Sequence, residues 1–124
     1  MIEYTFYIHD FRGSAEKVSS FLDFPNSKFS NRGERDPERV VPRRSSVSFS
    51  VSQDSRTDFE AEKKFLQELK AKEDRILKVD GEITTKIAII CSDLDDQFIH
   101  LTLSRDLLDL SSRLGCEIDF FVDA

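Results

Sequence analysis

The chain has no tryptophan, one methionine, two cysteines, three prolines and four glycines among 124 residues, and each shortage removes a class of protein. Two cysteines, Cys91 and Cys116, are too few for a disulfide framework and lack the close spacing of a zinc or thioredoxin motif. Both are expected to be reduced. Four glycines, Gly13, Gly33, Gly81 and Gly115, stand singly, so no glycine-rich loop is present to cradle a phosphate. There is no G-x-S-x-G elbow and no H-E-x-x-H pair, which deprives nucleophilic and zinc hydrolysis of their usual scaffolds. No run approaches the roughly 18 to 20 apolar residues of a spanning helix, and the opening Met1-Ile2-Glu3-Tyr4 has no basic region followed by an apolar stretch. A cytoplasmic location without a membrane is therefore expected.

What is plentiful is phenylalanine and charge. Eleven Phe and an apolar fraction of 39% supply one core, and the length fits a single domain over residues 1–124. Lysine and arginine number 18 against 24 aspartates and glutamates, a net charge of −6. Residues 1–90 balance at sixteen of each sign, whereas residues 91–124 hold eight acids and two bases. The last quarter thus carries the whole net charge. Such a field repels nucleic-acid backbones and favours a basic protein partner over direct nucleic-acid binding. Solubility alone is the plainer explanation of the same acidity.

Periodicity sets the elements. Ile2, Tyr4, Phe6 and Ile8 alternate with Glu3, Thr5, Tyr7 and His9, which predicts a half-buried strand over residues 2–9. Ser14 caps a helix with Val18, Phe21 and Leu22 on one side, stopped by Pro25. Residues 26–44 show no period, two prolines and five arginines, and read as a long loop. Four serines alternate with Val47, Phe49 and Val51 over residues 46–52, the clearest strand. Thr57 and Glu60 form a capping box for a long helix with Phe65, Leu66, Leu69, Ile76 and Leu77 inward, Glu60/Lys64 and Glu68/Lys72 as i,i+4 pairs, and Gly81 as its stop. A β-branched strand follows over residues 82–92, then a short strand or extended connection over 98–103. Ser104 caps a third helix with Leu107, Leu108, Leu110 and Leu114, ended by Gly115. A last strand has Cys116, Ile118, Phe120 and Val122 inward.

The predicted order is β-α-β-α-β-(β)-α-β. Strict alternation implies a sheet covered on one face, an α+β fold with a single, mostly antiparallel sheet of four or five strands and helices on one side. Its open face is expected to carry Glu3, Thr5, Tyr7, His9, the four serines, Thr84, Lys86, Ile90, Glu117, Asp119, Phe121 and Asp123.

Candidate sites are few. His9-Asp10 suggests a base with an orienting carboxylate, but adjacent strand residues point to opposite faces and no nucleophile accompanies them. Asp93, Asp95 and Asp96 fail the calcium-loop pattern, since Phe98 and Ser104 occupy its glycine and glutamate positions. No metal and no cofactor is expected. Arg35, Arg39 and Arg43 form a possible anion-binding group, with Glu34, Asp36 and Glu38 among them as internal partners. Tyr7 and Phe121 are apolar anchors among serines and acids, the pattern of an interaction surface.

The strand Tyr4-Thr5-Phe6-Tyr7-Ile8, the pair Phe21-Leu22, Gly33-Glu34, and the stretch from Leu101-Thr102-Leu103-Ser104 to Leu114-Gly115-Cys116-Glu117-Ile118-Asp119-Phe120 together carry a resemblance. The chain resembles domain-of-unknown-function family 4279, small and mostly bacterial α+β proteins, over nearly its full length. The resemblance implies a compact α+β fold and no assigned catalytic residue. Small acidic proteins of this build are often similar to immunity proteins, which neutralise a toxin; that step is analogy. The resulting expectation is a non-enzymatic binding protein that occludes a basic toxin, such as a nuclease, as in a toxin–antitoxin pair. Asp93, Asp95, Asp96, Glu117, Asp119 and Asp123 would steer the partner, with Tyr7 and Phe121 as anchors. Two alternatives are a mobile-element inhibitor of a host defence complex that mimics nucleic-acid charge, and a small phosphorylated-ligand-binding domain or enzyme using the arginines beside His9. The sequence leaves the oligomeric state open.

Overall fold

A computed structural model describes residues 1–31, 45–53, 60–92 and 102–122. Their elements run β1 (Ile2–Phe11), α1 (Ala15–Leu22), β2 (Lys28–Ser30), β3 (Ser46–Gln53), α2 (Glu60–Leu77), β4 (Gly81–Cys91), α3 (Arg105–Leu114) and β5 (Glu117–Val122). The five strands form one sheet in the order β2-β3-β1-β4-β5. All pairings are antiparallel except β4 with β5, which is parallel. Parallel neighbours need a crossover, and α3 supplies it.

The α+β class and the one-sided covering follow the alternation in the sequence. Ile2, Tyr4, Phe6 and Ile8 of β1, Val47 and Phe49 of β3, and Ile87, Ile89 and Cys91 of β4 are all buried in one cluster. Helices α1, α2 and α3 add Val18, Leu22, Phe65, Leu69, Ile76, Leu107 and Leu110 to the same cluster. An aromatic chain runs through it: Phe24 stacks on Phe49 at 4.2 Å, Phe49 on Phe65 at 5.2 Å, and Tyr4 lies 5.7 Å from Phe65. Burial of each such ring contributes about 1.5 to 3 kcal/mol.

The element order differs from expectation in one place. Lys28–Ser30 pairs with Ser46–Ser48 as β2, inside the segment read as loop, giving β-α-β-β-α-β-α-β. Three residues are too few to show a period. Most of the short strand expected over 98–103 lies outside the described residues, and residues 102–104 have no regular structure. The start of the predicted capping box, Thr57, also lies outside them.

Capping at α1 and α3 matches the sequence. The Ser14 hydroxyl accepts from the Lys17 N–H, and that of Ser104 from Leu107. Gly115 ends α3 at φ +70°. Gly81, however, does not close α2. The helix ends at Leu77, and Gly81 opens β4 opposite Phe11. Predicted inward residues Phe21, Leu77 and Leu108 are about half-exposed, because each sits on the flank of its helix stripe. Phe120 and Val122 also face solvent, as does Phe121. Their strand is the sheet's edge. Several charges of α2 reach beyond it: Lys72 meets Asp23, Lys70 meets Asp106, and Glu73 accepts from Arg113 at 2.9 Å. Lys63 pairs with Glu60 at the shorter i,i+3 spacing.

Candidate functional site

With three helices on one face, the other face of the sheet carries no helix among the described residues. Register lays out its side chains in rows. Tyr7 of β1 lies beside Lys86 of β4, which lies beside Glu117 of β5. The next row is Thr5, Ala88 and Asp119, and the next Glu3, Ile90 and Phe121. Ala88 is the short member of the grid. Taller neighbours around it leave a hollow of about 310 Å³ lined by Tyr7, His9, Lys86, Ala88, Ile90 and Phe121.

Each wall is held in place by contacts of its own. The Tyr7 and His9 rings, two residues apart on one strand face, lie nearly parallel at 8° with centroids 5.9 Å apart. His9 Nδ1 is 3.3 Å from the Ser45 carbonyl, a hydrogen bond made when the ring proton sits on Nδ1. Lys86 donates to Asp119 Oδ2 at 2.6 Å and stands 5.7 Å from the Phe121 ring centre. The cation therefore has a carboxylate on one side and an aromatic face on the other. Beside the hollow, Thr5 donates to Glu3 Oε1 at 3.3 Å, which leaves Ser50 as donor in the 2.8 Å Thr5–Ser50 contact.

The expected partner-binding residues are thus divided. Tyr7 and Phe121 come together in one hollow although 114 positions separate them, and Glu117 and Asp119 border it. Asp119 already neutralises Lys86, so its charge is not simply offered to a partner. Asp93, Asp95, Asp96 and Asp123 lie outside the described residues, as do Arg35, Arg39 and Arg43. Sequence reasoning placed Lys86 on the open face without giving it a site, put His9 only beside the arginines of the phosphorylated-ligand alternative, counted Ile90 with Tyr7 and Phe121 as apolar surface, and passed over Ala88. Ala88 carries no chemical signal; only its register between taller neighbours shows that it forms the floor.

The reading of His9-Asp10 requires a correction. A bulge between His9 and Phe11 interrupts the alternation, and Asp10 adopts φ +61°. Its carboxylate consequently accepts from Thr84 at 2.8 Å, beside His9 in the register. The two residues are therefore not separated by strand alternation. The six residues lining the hollow supply two aromatic rings, an imidazole, an aliphatic floor and one salt-bridged cation.

Elsewhere, two side chains are shaped by burial. Tyr4 is pushed up to about 12, first by burial, then by the charge of Glu62 and by Cys91. Burial also raises the Cys116 thiol, opposed by a hydrogen bond with Thr85. Both cysteines are free thiols. Glu62, buried on α2, accepts the Ser104 N–H at 3.1 Å and so ties α2 to the start of α3. Among the described residues there is no group of three or more metal-ligating side chains and no helix long and apolar enough to cross a membrane.

The chain matches no protein-family model, no curated protein and no solved structure.

Proposed function

We propose that this protein is a non-enzymatic binding protein whose open sheet face receives a protein partner, most concretely an immunity protein that occludes a basic toxin in the cytosol. The observation that carries the reading is the hollow over Ala88, where Tyr7, Ile90 and Phe121 present apolar surface on the side of the sheet away from all three helices. A side chain from a partner entering such a hollow loses its water on several sides at once, the usual setting of a binding hot spot. Glu3 and Glu117 at the margin, together with the acidic last quarter of the chain, favour a positively charged partner.

Ala88→Leu tests it. The added carbons rise into the hollow and not into the core, so the melting temperature should hold while the partner's side chain is excluded. Tagged protein drawn from lysate of its native host at moderate salt should bring down one basic protein in stoichiometric amount. The Ala88→Leu chain should not. Expression of that partner alone should arrest growth, and co-expression of the native chain should restore it. Equal recovery by both chains would remove the open face from the interaction, and a partner harmless to growth would remove the immunity role.

A further inference from the structure

Among the described residues the longest run of exposed apolar side chains lies at the edge of the sheet, and one of them, Phe121, also walls the hollow. Seven large hydrophobic side chains of the described residues are conspicuously exposed, and Phe120, Phe121 and Val122 are three of them, at 55%, 48% and 60%. A fourth, Leu108, belongs to the same side. Asp106 and Arg113 reach Lys70 and Glu73 on α2, and at 100° per residue Leu108 falls on the opposite flank of α3. α2 packs on β1 and β3, so the flank turned away from it is the one towards β5.

β5 is the last strand in the order, and among the described residues no strand lies beyond it. Its outer edge presents backbone N–H and C=O groups to any strand that approaches. Natural sheets usually guard such an edge with a lysine, a proline, a bulge or brevity. β2 at the other edge is three residues long and carries exposed Lys28. β5 has six residues and ends in Phe-Phe-Val.

We propose that β5 pairs antiparallel with β5 of a second copy, joining two sheets into one across a twofold axis. Self-complementarity of the strand selects this occupant. A twofold perpendicular to the sheet keeps open face with open face, so residues that meet must share a face. Centred on Phe120, the pairing sets Phe120 against Phe120 of the second copy, Ile118 against Val122 and Asp119 against Phe121. Apolar pairs line the helix side and no two acids oppose one another over residues 118–122; extended by one residue the register would set Glu117 against Asp123, which confines the pairing to these five positions. Centring on Asp119 instead would oppose two carboxylates, which disfavours that register. The open faces of both copies remain uncovered, so the hollow over Ala88 stays open in the dimer, with its wall residue Phe121 lying beside Asp119 of the second copy.

Sedimentation equilibrium of the native chain should give twice the 14.3 kDa chain mass at about 100 μM, a concentration that populates even micromolar dimers. Phe120→Lys should halve that mass with an unchanged circular dichroism spectrum, because the side chain lies outside the core, and its melting temperature should lose the concentration dependence of the native dimer. Mild oxidation of Phe120→Cys should give a covalent dimer, whereas Phe29→Cys, similarly exposed on the opposite edge, should stay monomeric. A native chain that sediments as a monomer, or a Phe120→Lys chain that stays dimeric, overturns the proposal. Cross-linking of Phe29→Cys as readily as Phe120→Cys does so as well.

Discussion

Tyr4 shows how one buried side chain couples stability to pH. Its neutral phenol is favoured in the folded chain, with a pKa of about 12 against the ordinary 10.0. The associated stability is fully present below pH 10 and is lost as pH rises from 10 through 12. It amounts to roughly 2 to 3 kcal/mol at about 1.4 kcal/mol per pH unit. Urea melts of native chain and Tyr4→Phe across this range should diverge, the native chain weakening more steeply. Parallel curves would show that Tyr4 does not titrate with unfolding. Glu62 links to the same tyrosine, since its charge is the second cause of the raised value. Glu62→Ala strands the Ser104 N–H that the carboxylate now satisfies, at a cost of about 1 to 3 kcal/mol. Such a loss should appear as a lower urea midpoint with an unchanged slope. In a ring-absorbance titration, Glu62→Gln should lower the Tyr4 pKa only part of the way to 10, because burial is the larger cause.

At the scale of elements, Gly81 is the position where backbone geometry leaves least freedom. It opens β4 at φ +114°, and an added Cβ would lie 2.8 Å from the Arg12 backbone nitrogen and 3.1 Å from the Asp10 carbonyl oxygen. Those atoms belong to the bulged end of β1, which cannot retreat without breaking the Arg12 N–H bond to Asp80. Gly81→Ala should therefore destabilise by about 2 kcal/mol or more, whereas Gly115→Ala meets no atom within 4 Å and should lose only the cost of its left-handed φ. Thermal melts rank the two, and an equal loss would contradict the steric argument. The same elements show what a sequence discloses. Strand alternation and the serine caps specify β1, β3, α1 and α3 because each is a local rule repeated over several residues. β2 was hidden because its three residues acquire strand geometry from β3, and the exposure of Phe120 was hidden because alternation indicates a face but not how far a helix layer extends over it. Gly81 is an αL-type punctuation mark in sequence, yet whether it closes a helix or opens a strand is settled by the pairing with Phe11.

For the whole molecule, the decisive quantity is the distribution of charge over the open face. Alternation placed Tyr7, Lys86 and Phe121 on that face, but only register brings them around Ala88, and only the folded geometry shows Asp119 joined to Lys86. That ion pair sharpens the electrostatic expectation for a basic partner. Asp119→Asn removes one negative charge and also frees the ammonium group of Lys86, so the hollow itself becomes positive. Glu117→Gln removes one charge from the margin and releases no cation. Both variants move the net charge from −6 towards zero by one unit, so a partner that senses only the overall field should respond to them equally. A partner that enters the hollow should associate several-fold more slowly with Asp119→Asn at low ionic strength. At about 1 M salt, where the screening length is about 3 Å, the difference between the variants should narrow, leaving the part due to direct contact with Lys86. Stopped-flow association with the purified partner measures both regimes. Equal slowing by the two substitutions at low salt would place the binding surface elsewhere on the acidic quarter of the chain.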